Sequence, residues 1–171
     1  MLTVWLTGLP AAGKTTLGDA VAAALDDDGH RTARIDGDVL RRGLCSDLGF
    51  SAADREENVR RAAHVGAIIA ASGTVVVVSL VSPYRSGRQL ARRIHEEREL
   101  GFIEVFVDTD LEECRRRDPR GLYRAQVSNL TGVDDPYEPP DRPDVHVHPG
   151  PQTVAESTAA VLEAATARLA R

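Results

Sequence analysis

Short apolar runs alternate along the chain with longer stretches of helical periodicity. The apolar runs predict strands at 2–7, 32–35, 74–80, 103–107 and 145–147. The intervening stretches predict helices at 14–28, 39–44, 53–72, 86–100, 111–117 and 153–169. The run at 74–80 is rich in β-branched residues, which is typical of a strand buried on both faces of a parallel sheet. This alternation predicts an α/β fold with right-handed crossovers, in which helices cover both faces of a parallel five-stranded sheet.

Ligands bind such sheets beyond the carboxyl ends of the strands. In this chain, that edge would bring together the segment that begins at Gly8 and the segments 36–38, 79–83 and 108–110. The residues of these segments are therefore the first candidates for a functional site.

A phosphate-binding pattern, G-x-x-x-x-G-K-[ST], follows the first predicted strand and opens the first predicted helix. In such a loop, backbone N–H groups surround the phosphates, the lysine reaches the β- and γ-phosphates and the threonine hydroxyl holds Mg²⁺. Lys14 is the only lysine in the chain, and a compact charge on a flexible stem is what this position requires. We expect the nucleotide to be held by Gly8, Ala11, Ala12, Gly13, Lys14, Thr15 and Thr16. The alternative is a glycine-rich turn that binds nothing.

The composition of the chain limits the number of domains and the classes of partner that it could bind. The 171 residues suit one domain, 1–171, with a full hydrophobic core. No apolar run approaches the roughly 20 residues of a membrane span, and the first predicted strand leaves no room for a signal peptide. A formal net charge of -5 argues against nucleic-acid and membrane partners. Cys45 and Cys114 are isolated, which predicts reduced thiols in a cytoplasmic protein rather than a disulfide or zinc framework.

The carboxylates near the phosphate loop indicate which class of phosphate-loop protein this is. The Asn-Lys-x-Asp motif that reads guanine in GTPases is absent, and the strand at 74–80 does not end in the carboxylate that motor and transport ATPases place there. Asp36 and Asp38 instead follow the second predicted strand, which suits a small-molecule kinase. Asp38 would orient or deprotonate the attacking hydroxyl, while Asp36 and Thr15 would hold Mg²⁺. The alternative is that residues 36–38 form only a strand-ending turn.

An aromatic residue and two polar residues stand at the start of the third predicted helix. Arg55 and Asn58 are three positions apart and share a helix face, and Phe50 precedes the helix. An aromatic platform beside an arginine and an asparagine suits a nucleotide-like acceptor that carries an anionic group. The alternative is a packing phenylalanine beside a solvated charged face.

Five motifs occur in order along the chain: 8–16, 36–38 with Arg41, 48–61, 79–84, and 118–123 running on to 130–138. In this combination the chain resembles the adenylylsulfate kinase (APS kinase) family, over most of its length. The resemblance implies a P-loop kinase fold and an ATP- and Mg²⁺-dependent enzyme of sulfate assimilation. Its acceptor would be the 3′-hydroxyl of adenosine 5′-phosphosulfate (APS), and the resemblance also suggests a homodimer.

The resemblance also implies roles for individual residues. Asp38 and Arg41 would meet the acceptor near its reacting end, which makes them catalytic candidates together with Lys14. Phe50 would stack on the acceptor adenine, with Leu130 on the other face. The remaining acceptor contacts would come from Asp36, Arg55, Asn58 and the backbone of Leu80, Val81 and Ser82. A lid over about 115–143 would close on ATP, with Arg117 at the nucleotide and Arg120 at the substrate.

The chain departs from the family pattern in its lid. The segment 124–129 is several residues shorter than is usual in the family, and Arg120 replaces the familiar lysine before Gly-Leu-Tyr. These departures leave open a second hypothesis, a related kinase whose acceptor is a nucleoside, a sugar or an antibiotic. A third hypothesis is a nucleotide-binding module that does not catalyse a reaction. What argues against it is the presence of the complete candidate set: Lys14, Thr15, Asp36, Asp38 and Arg41.

One further pair stands outside these motifs. His146 and His148 alternate along the last predicted strand and so point to one face. Two histidines at this spacing could bind a metal ion, but the sequence shows no third ligand nearby.

Overall fold

The computed structural model describes residues 1–125 and 130–170. The strands are β1 (Leu2–Thr7), β2 (Thr32–Asp36), β3 (Val75–Ser79), β4 (Gly101–Val107) and β5 (Val145–Val147). The helices are α1 (Lys14–Asp27), α2 (Gly37–Arg42), α3 (Ala52–Ala71), α4 (Arg85–Glu96), α5 (Leu111–Arg117) and α6 (Val154–Leu169). Each predicted strand and helix is present.

The strands form one parallel sheet in the order β2-β3-β1-β4-β5. The first strand is therefore central, with Trp5 beside Val78 on one side and Glu104 on the other. Because every strand runs the same way, all carboxyl ends lie at one edge of the sheet, where the phosphate loop leaves β1.

A hydrophobic core lies on each face of the sheet. One face packs Val4, Leu6, Val77 and Val105 against α1 and α6. The opposite face packs Trp5, Val76, Val78 and Phe102 against α3 and α4. Alternate strand residues point to opposite faces, and apolar residues at both sets of positions bury β1 and nearly all of β3 on both faces. The predicted α/β fold with helices on both faces is confirmed.

Two long helices begin at side-chain caps that the sequence contains. The Ser51 hydroxyl accepts from the Asp54 backbone N–H at the start of α3. Thr153 and Glu156 form a reciprocal capping box at the start of α6. Each cap satisfies backbone donors that the first helical turn leaves unpaired.

Several helix ends differ from the sequence-based boundaries, and two of these differences have a clear local cause. Helix α2 begins at Gly37, two residues before the predicted start, because the Asp36 side chain accepts from the Asp38 N–H and caps the helix there. Helix α4 ends at Glu96 instead of continuing to residue 100, because the His95 carbonyl accepts from Arg98 and Leu100 and turns the chain into β4. Among residues 1–125 and 130–170, no helix combines the length and the apolar character needed to cross a membrane.

Candidate active site

The phosphate loop depends on backbone conformations that favour glycine. Gly8 has φ 154°, and a Cβ atom there would lie 2.4 Å from the Val107 carbonyl oxygen. Gly13 has φ 103° and caps the N-terminus of α1. The loop therefore turns tightly at the end of the central strand and aims the N-terminus of α1 at the position expected for phosphate.

Lys14 lies buried in the loop and donates to its carbonyl oxygens. The Nζ atom is 2.7 Å from the Leu9 oxygen and 3.1 Å from the Gly8 oxygen. Burial lowers the pKa of the Lys14 ammonium from 10.5 to about 8, and the charge of nearby Asp36 opposes this shift. The only lysine of the chain thus lies at the position expected for phosphate, and its protonation state depends on its surroundings.

Thr15 and Asp36 provide adjacent oxygen atoms beside the loop. The Thr15 hydroxyl donates to Asp36 Oδ2 at 2.9 Å, and Asp36 Oδ1 accepts from the Asp38 N–H at 2.9 Å. Mg²⁺ prefers oxygen ligands and keeps several waters, so a hydroxyl and a carboxylate at this spacing fit the ion expected with a nucleotide. Asp36 thus both caps α2 and lies at the predicted magnesium position.

Asp38 forms an ion pair with Arg120, which belongs to the segment after α5. Nearby, the Arg41 guanidinium donates to the Gly49 carbonyl at 2.9 Å and lies 4.3 Å from the centre of the Phe50 ring. These contacts join the end of α2 to the lid on one side and to the start of α3 on the other. The carboxylate proposed as a base is thus paired with the guanidinium of Arg120.

A single cleft of about 890 Å³ runs along these groups. Its lining includes nearly all the residues predicted from the sequence: Ala11, Gly13, Lys14, Thr15, Thr16, Asp36, Asp38, Arg41, Phe50, Arg55, Asn58, Leu80, Val81, Ser82, Arg117, Arg120 and Leu130. The phosphate loop and the aromatic platform, which are far apart in sequence, thus share one cavity.

Gly8 and Ala12 do not line the cleft, unlike the other loop residues predicted to hold the nucleotide. Gly8 packs against Val107, and Ala12 is fully buried in the core. The Ala12 carbonyl accepts from the Thr109 hydroxyl at 2.8 Å and faces Arg117 at 3.4 Å. The two residues shape the loop and connect it to β4 and α5.

The acceptor end of the cleft combines an exposed ring with a buried amide. The Phe50 ring is about half exposed, so one face is open to a ligand. Asn58 is buried, and its Oδ1 atom has no hydrogen-bond partner among the described residues. Because a buried polar atom without a partner is costly, this oxygen is a strong candidate to receive a ligand donor.

Arg55 connects helix α3 to the far end of the lid. Its guanidinium donates to the Phe50 carbonyl at 3.0 Å, to the Thr131 hydroxyl at 2.7 Å and to the Asp135 carboxylate at 3.2 Å. The side chain is buried and lines the cleft. Arg55 therefore positions both the aromatic platform and residues 131–135, in addition to facing the cavity.

Ser82 contributes backbone rather than a reactive hydroxyl. It adopts φ 45°, its side chain accepts from the Trp5 indole N–H at 3.0 Å, and only 2% of the residue is exposed. Leu80 is similarly buried. The chain after β3 thus forms a fixed wall of the cleft.

Four residues after α5 with positional roles were not singled out from the sequence: Asp118, Tyr123, Thr131 and Asp135. The Asp118 carboxylate accepts from the N–H groups of Tyr123 and Arg124, and the Tyr123 hydroxyl donates to the Pro10 carbonyl at 2.9 Å. The Asp-Pro-Arg-Gly-Leu-Tyr motif was the available signal for the first two. Most of the shortened segment, 126–129, lies outside the described residues.

Comparison with known proteins identifies relatives of this arrangement. The family model described as adenylylsulphate kinase matches residues 1–148. The adenylyl-sulfate kinase of Synechococcus sp. (strain JA-2-3B'a(2-13)) is 45% identical over 171 residues, covering 98% of this chain and 95% of that protein. The bifunctional enzyme NodQ of Rhizobium tropici is 48% identical over 148 residues, and the match covers 84% of this chain but only 23% of that longer protein.

A solved structure shows the same fold. The Mycobacterium tuberculosis APS kinase CysC, in complex with AMPPNP and APS, superposes with a TM-score of 0.92 at 41% identity, covering 96% of each chain. The extent of the family match, the identity to full-length relatives and the geometry of the cleft agree. The chain belongs to the adenylylsulphate kinase family.

Proposed function

We propose that this protein transfers the γ-phosphoryl group of ATP to the 3′-hydroxyl of APS, giving 3′-phosphoadenosine 5′-phosphosulfate. The observation that carries the proposal is the single cleft with a phosphate loop at one end and Phe50 with Asn58 at the other. Membership of the family and the resemblance to an APS kinase that binds AMPPNP and APS support it.

The phosphate end would bind ATP with Mg²⁺. The loop N–H groups and Lys14 would hold the β- and γ-phosphates, and Thr15 with Asp36 would hold the ion. The ion would neutralise part of the negative charge on the phosphates. Arg117, whose guanidinium lies 3.6 Å from the Cβ position of Gly13, would flank the nucleotide.

The acceptor end would bind the adenosine portion of APS. Its adenine would stack on the exposed face of Phe50, with Leu130 on the opposite wall, and Asn58 would accept from a polar group of the acceptor. Arg41 and Arg55 supply positive charge for the phosphosulfate.

Asp38 lies where the two ends meet. In the transfer step, the acceptor O3′ would form a bond to the γ-phosphorus as the bond to the β–γ bridging oxygen breaks, and ADP leaves. Asp38 would accept the hydroxyl proton, and Lys14 and Arg41 would stabilise the charge on the transferring group. Arg120 pairs with Asp38 in this structure, so the acceptor hydroxyl would compete with Arg120 for the carboxylate.

The assembly and setting belong to the same proposal. We take 1–171 as one kinase domain whose lid covers about 115–143, acting in the cytoplasm as a homodimer in sulfate assimilation. The NodQ relatives are about four times longer than the matched region, so an attached second activity is compatible with the same domain. Light scattering of the purified chain tests the dimer.

The hypothesis of another acceptor is not favoured. It was based on the short lid, yet full-length relatives at 43–47% identity carry the name adenylyl-sulfate kinase. The catalytically silent module is equally disfavoured, because Lys14, Thr15, Asp36, Asp38 and Arg41 all line the cleft.

A direct assay tests the proposal. The purified chain is incubated with ATP, Mg²⁺ and APS, and the 3′-phosphorylated product is followed by mass spectrometry, with Lys14→Ala as control. We expect product that depends on Lys14. A sample that binds ATP but yields no product with APS would overturn the assignment of the acceptor.

A further inference from the structure

Two histidines and an aspartate meet at the β5 edge of the sheet, apart from the cleft. His146 Nε2 lies 2.9 Å from Asp108 Oδ2, and His148 Nδ1 lies 3.6 Å from the same oxygen. One nitrogen from each histidine and one carboxylate oxygen all lie within 4.8 Å of one another. The sequence showed no third ligand beside the histidine pair, and the structure corrects this by supplying Asp108.

The sheet itself holds these three side chains together. Asp108 follows β4, and its N–H donates to the Val147 carbonyl at 2.9 Å, which fixes it beside β5. The His146 ring stacks on Phe106 with centroids 4.9 Å apart. The His148 N–H donates to the Gln152 side chain at 2.7 Å. Backbone pairing and ring stacking thus hold all three side chains close together. A ligand would need to order them only slightly further.

The donor set selects a class of metal ion. Imidazole nitrogens suit zinc, cobalt, nickel and copper, whereas Mg²⁺ prefers an all-oxygen shell. Bonds of about 2.0–2.1 Å to a tetrahedral Zn²⁺ place donor atoms roughly 3.3 Å apart. The two contacts to Asp108 at 2.9 and 3.6 Å bracket this separation, and the two histidine nitrogens lie within 4.8 Å of each other, so side-chain shifts of about 1 Å would accommodate an ion. We propose that Asp108, His146 and His148 bind one divalent transition-metal ion of the zinc class.

Exposure and position indicate what such an ion would do. The three side chains are 39–50% exposed, so an ion can enter from solvent and keep a water in a fourth position. Strand β5 has three residues and pairs only with β4 at the edge of the sheet. An ion bound by residues of both strands would fasten this short strand to the sheet. None of the three ligands lines the cleft, so the site is independent of the proposed function.

Cobalt titration tests the site. Chelator-treated full chain is titrated with Co²⁺ in excess Mg²⁺, and the visible d–d absorption bands are followed. We expect one ion per chain, bound without competition from Mg²⁺. His146→Gln and His148→Gln should each lower affinity at least about tenfold, since even partners outside the ligand shell cost that much at metal sites. Saturating Zn²⁺ should raise the thermal midpoint of the wild type but not of the double variant.

The control is His30→Gln, which replaces a histidine between α1 and β2, and should bind cobalt as the wild type does. Melting curves in chelator show whether each variant is folded, and the exposed ligands make loss of the fold unexpected. The proposal is overturned if the wild type binds no cobalt, if the two ligand variants bind with wild-type affinity, or if Mg²⁺ displaces the ion.

Discussion

The two ends of the cleft are built in different ways. The phosphate end is made by one continuous segment, 8–16, whose polar contacts come largely from backbone at the end of the most buried strand. The acceptor end is assembled from the starts of α2 and α3, the wall after β3 and the lid, and it relies on side chains such as Phe50, Arg55 and Asn58. The backbone therefore fixes the geometry of the phosphate end. The geometry of the acceptor end depends on correct packing among four segments.

This difference indicates which end of the cleft would select the acceptor. Backbone N–H groups recognise any phosphate chain of the right charge, since their geometry is shared by many phosphate-loop proteins. Side chains carried by separate elements recognise one particular acceptor. Variants at the two ends should therefore separate the effects on turnover from the effects on acceptor affinity.

The largest effect is expected for Lys14→Ala. Removing the ammonium at the γ-phosphate should lower kcat/KM by at least about a thousandfold, because such charges act directly on the transferring group. The fold should remain, since burial of the Lys14 charge lowers its pKa and so gives the fold no net benefit. Steady-state turnover and thermal melting measure both quantities. Near-normal turnover in this variant would show that the phosphates of ATP do not bind where we place them.

Phe50→Ala should affect the acceptor and spare ATP. Loss of a base-stacking platform costs about 1–3 kcal/mol, which corresponds to an increase of roughly fivefold to 150-fold in the KM for APS. The KM for ATP should stay within about twofold of the wild type. The control is Ile68→Ala, an apolar residue on α3 that is also more than half exposed and does not line the cleft. Equal losses for both substrates would remove the role assigned to Phe50.

A rise in pH should weaken the phosphate end selectively. Because burial lowers the pKa of Lys14 to about 8, the free protein loses this charge as pH increases through 8. The kcat/KM for ATP should fall about tenfold for each pH unit above this point. The KM for APS, measured at saturating ATP over the same range, is the control. A rise in the KM for APS that parallels the fall in kcat/KM for ATP would assign the pH dependence to another group.

The free energy of unfolding should increase over the same pH range in which kcat/KM for ATP falls. The unfolded chain keeps the lysine proton up to about 10.5, while the folded chain releases it at about 8. Between these values the unfolded state binds more protons, so the free energy of unfolding contributed by this group rises with pH. Urea denaturation without nucleotide, compared with Lys14→Met, isolates this contribution. A wild type whose stability does not increase relative to the variant would contradict the lowered pKa.

The smallest effect is expected for Tyr123→Phe. This change removes the hydroxyl that donates to the Pro10 carbonyl and so loosens the lid from the phosphate loop. One hydrogen bond contributes about 1 kcal/mol, so the KM for ATP should rise about fivefold with kcat little changed. Tyr84→Phe is the matched control, since Tyr84 does not line the cleft. If both variants behave alike, the Pro10 contact does not hold the lid.

Sequence predicted the phosphate end more completely than the acceptor end for a physical reason. Residues 8–16 are contiguous, so spacing alone identifies them. Asp135 and Thr131 reach Arg55 across 80 and 76 positions, and only the folded chain brings them together. The same holds for Asp108, which lies 38 positions from His146 and meets it through pairing of β4 with β5. The early start of α2 was missed because Asp36, which the sequence pattern assigned only to the candidate site, also caps the helix.

The lid is anchored separately at its two sides. Tyr123 binds the phosphate loop on one side, and Thr131 and Asp135 bind Arg55 on the other. Arg120 and Leu130, the lid residues assigned to the substrate, lie beside these anchors. A change in chain length between the two anchors would therefore leave Arg120 and Leu130 where they are. The length of this segment is then a poor guide to which acceptor the enzyme uses.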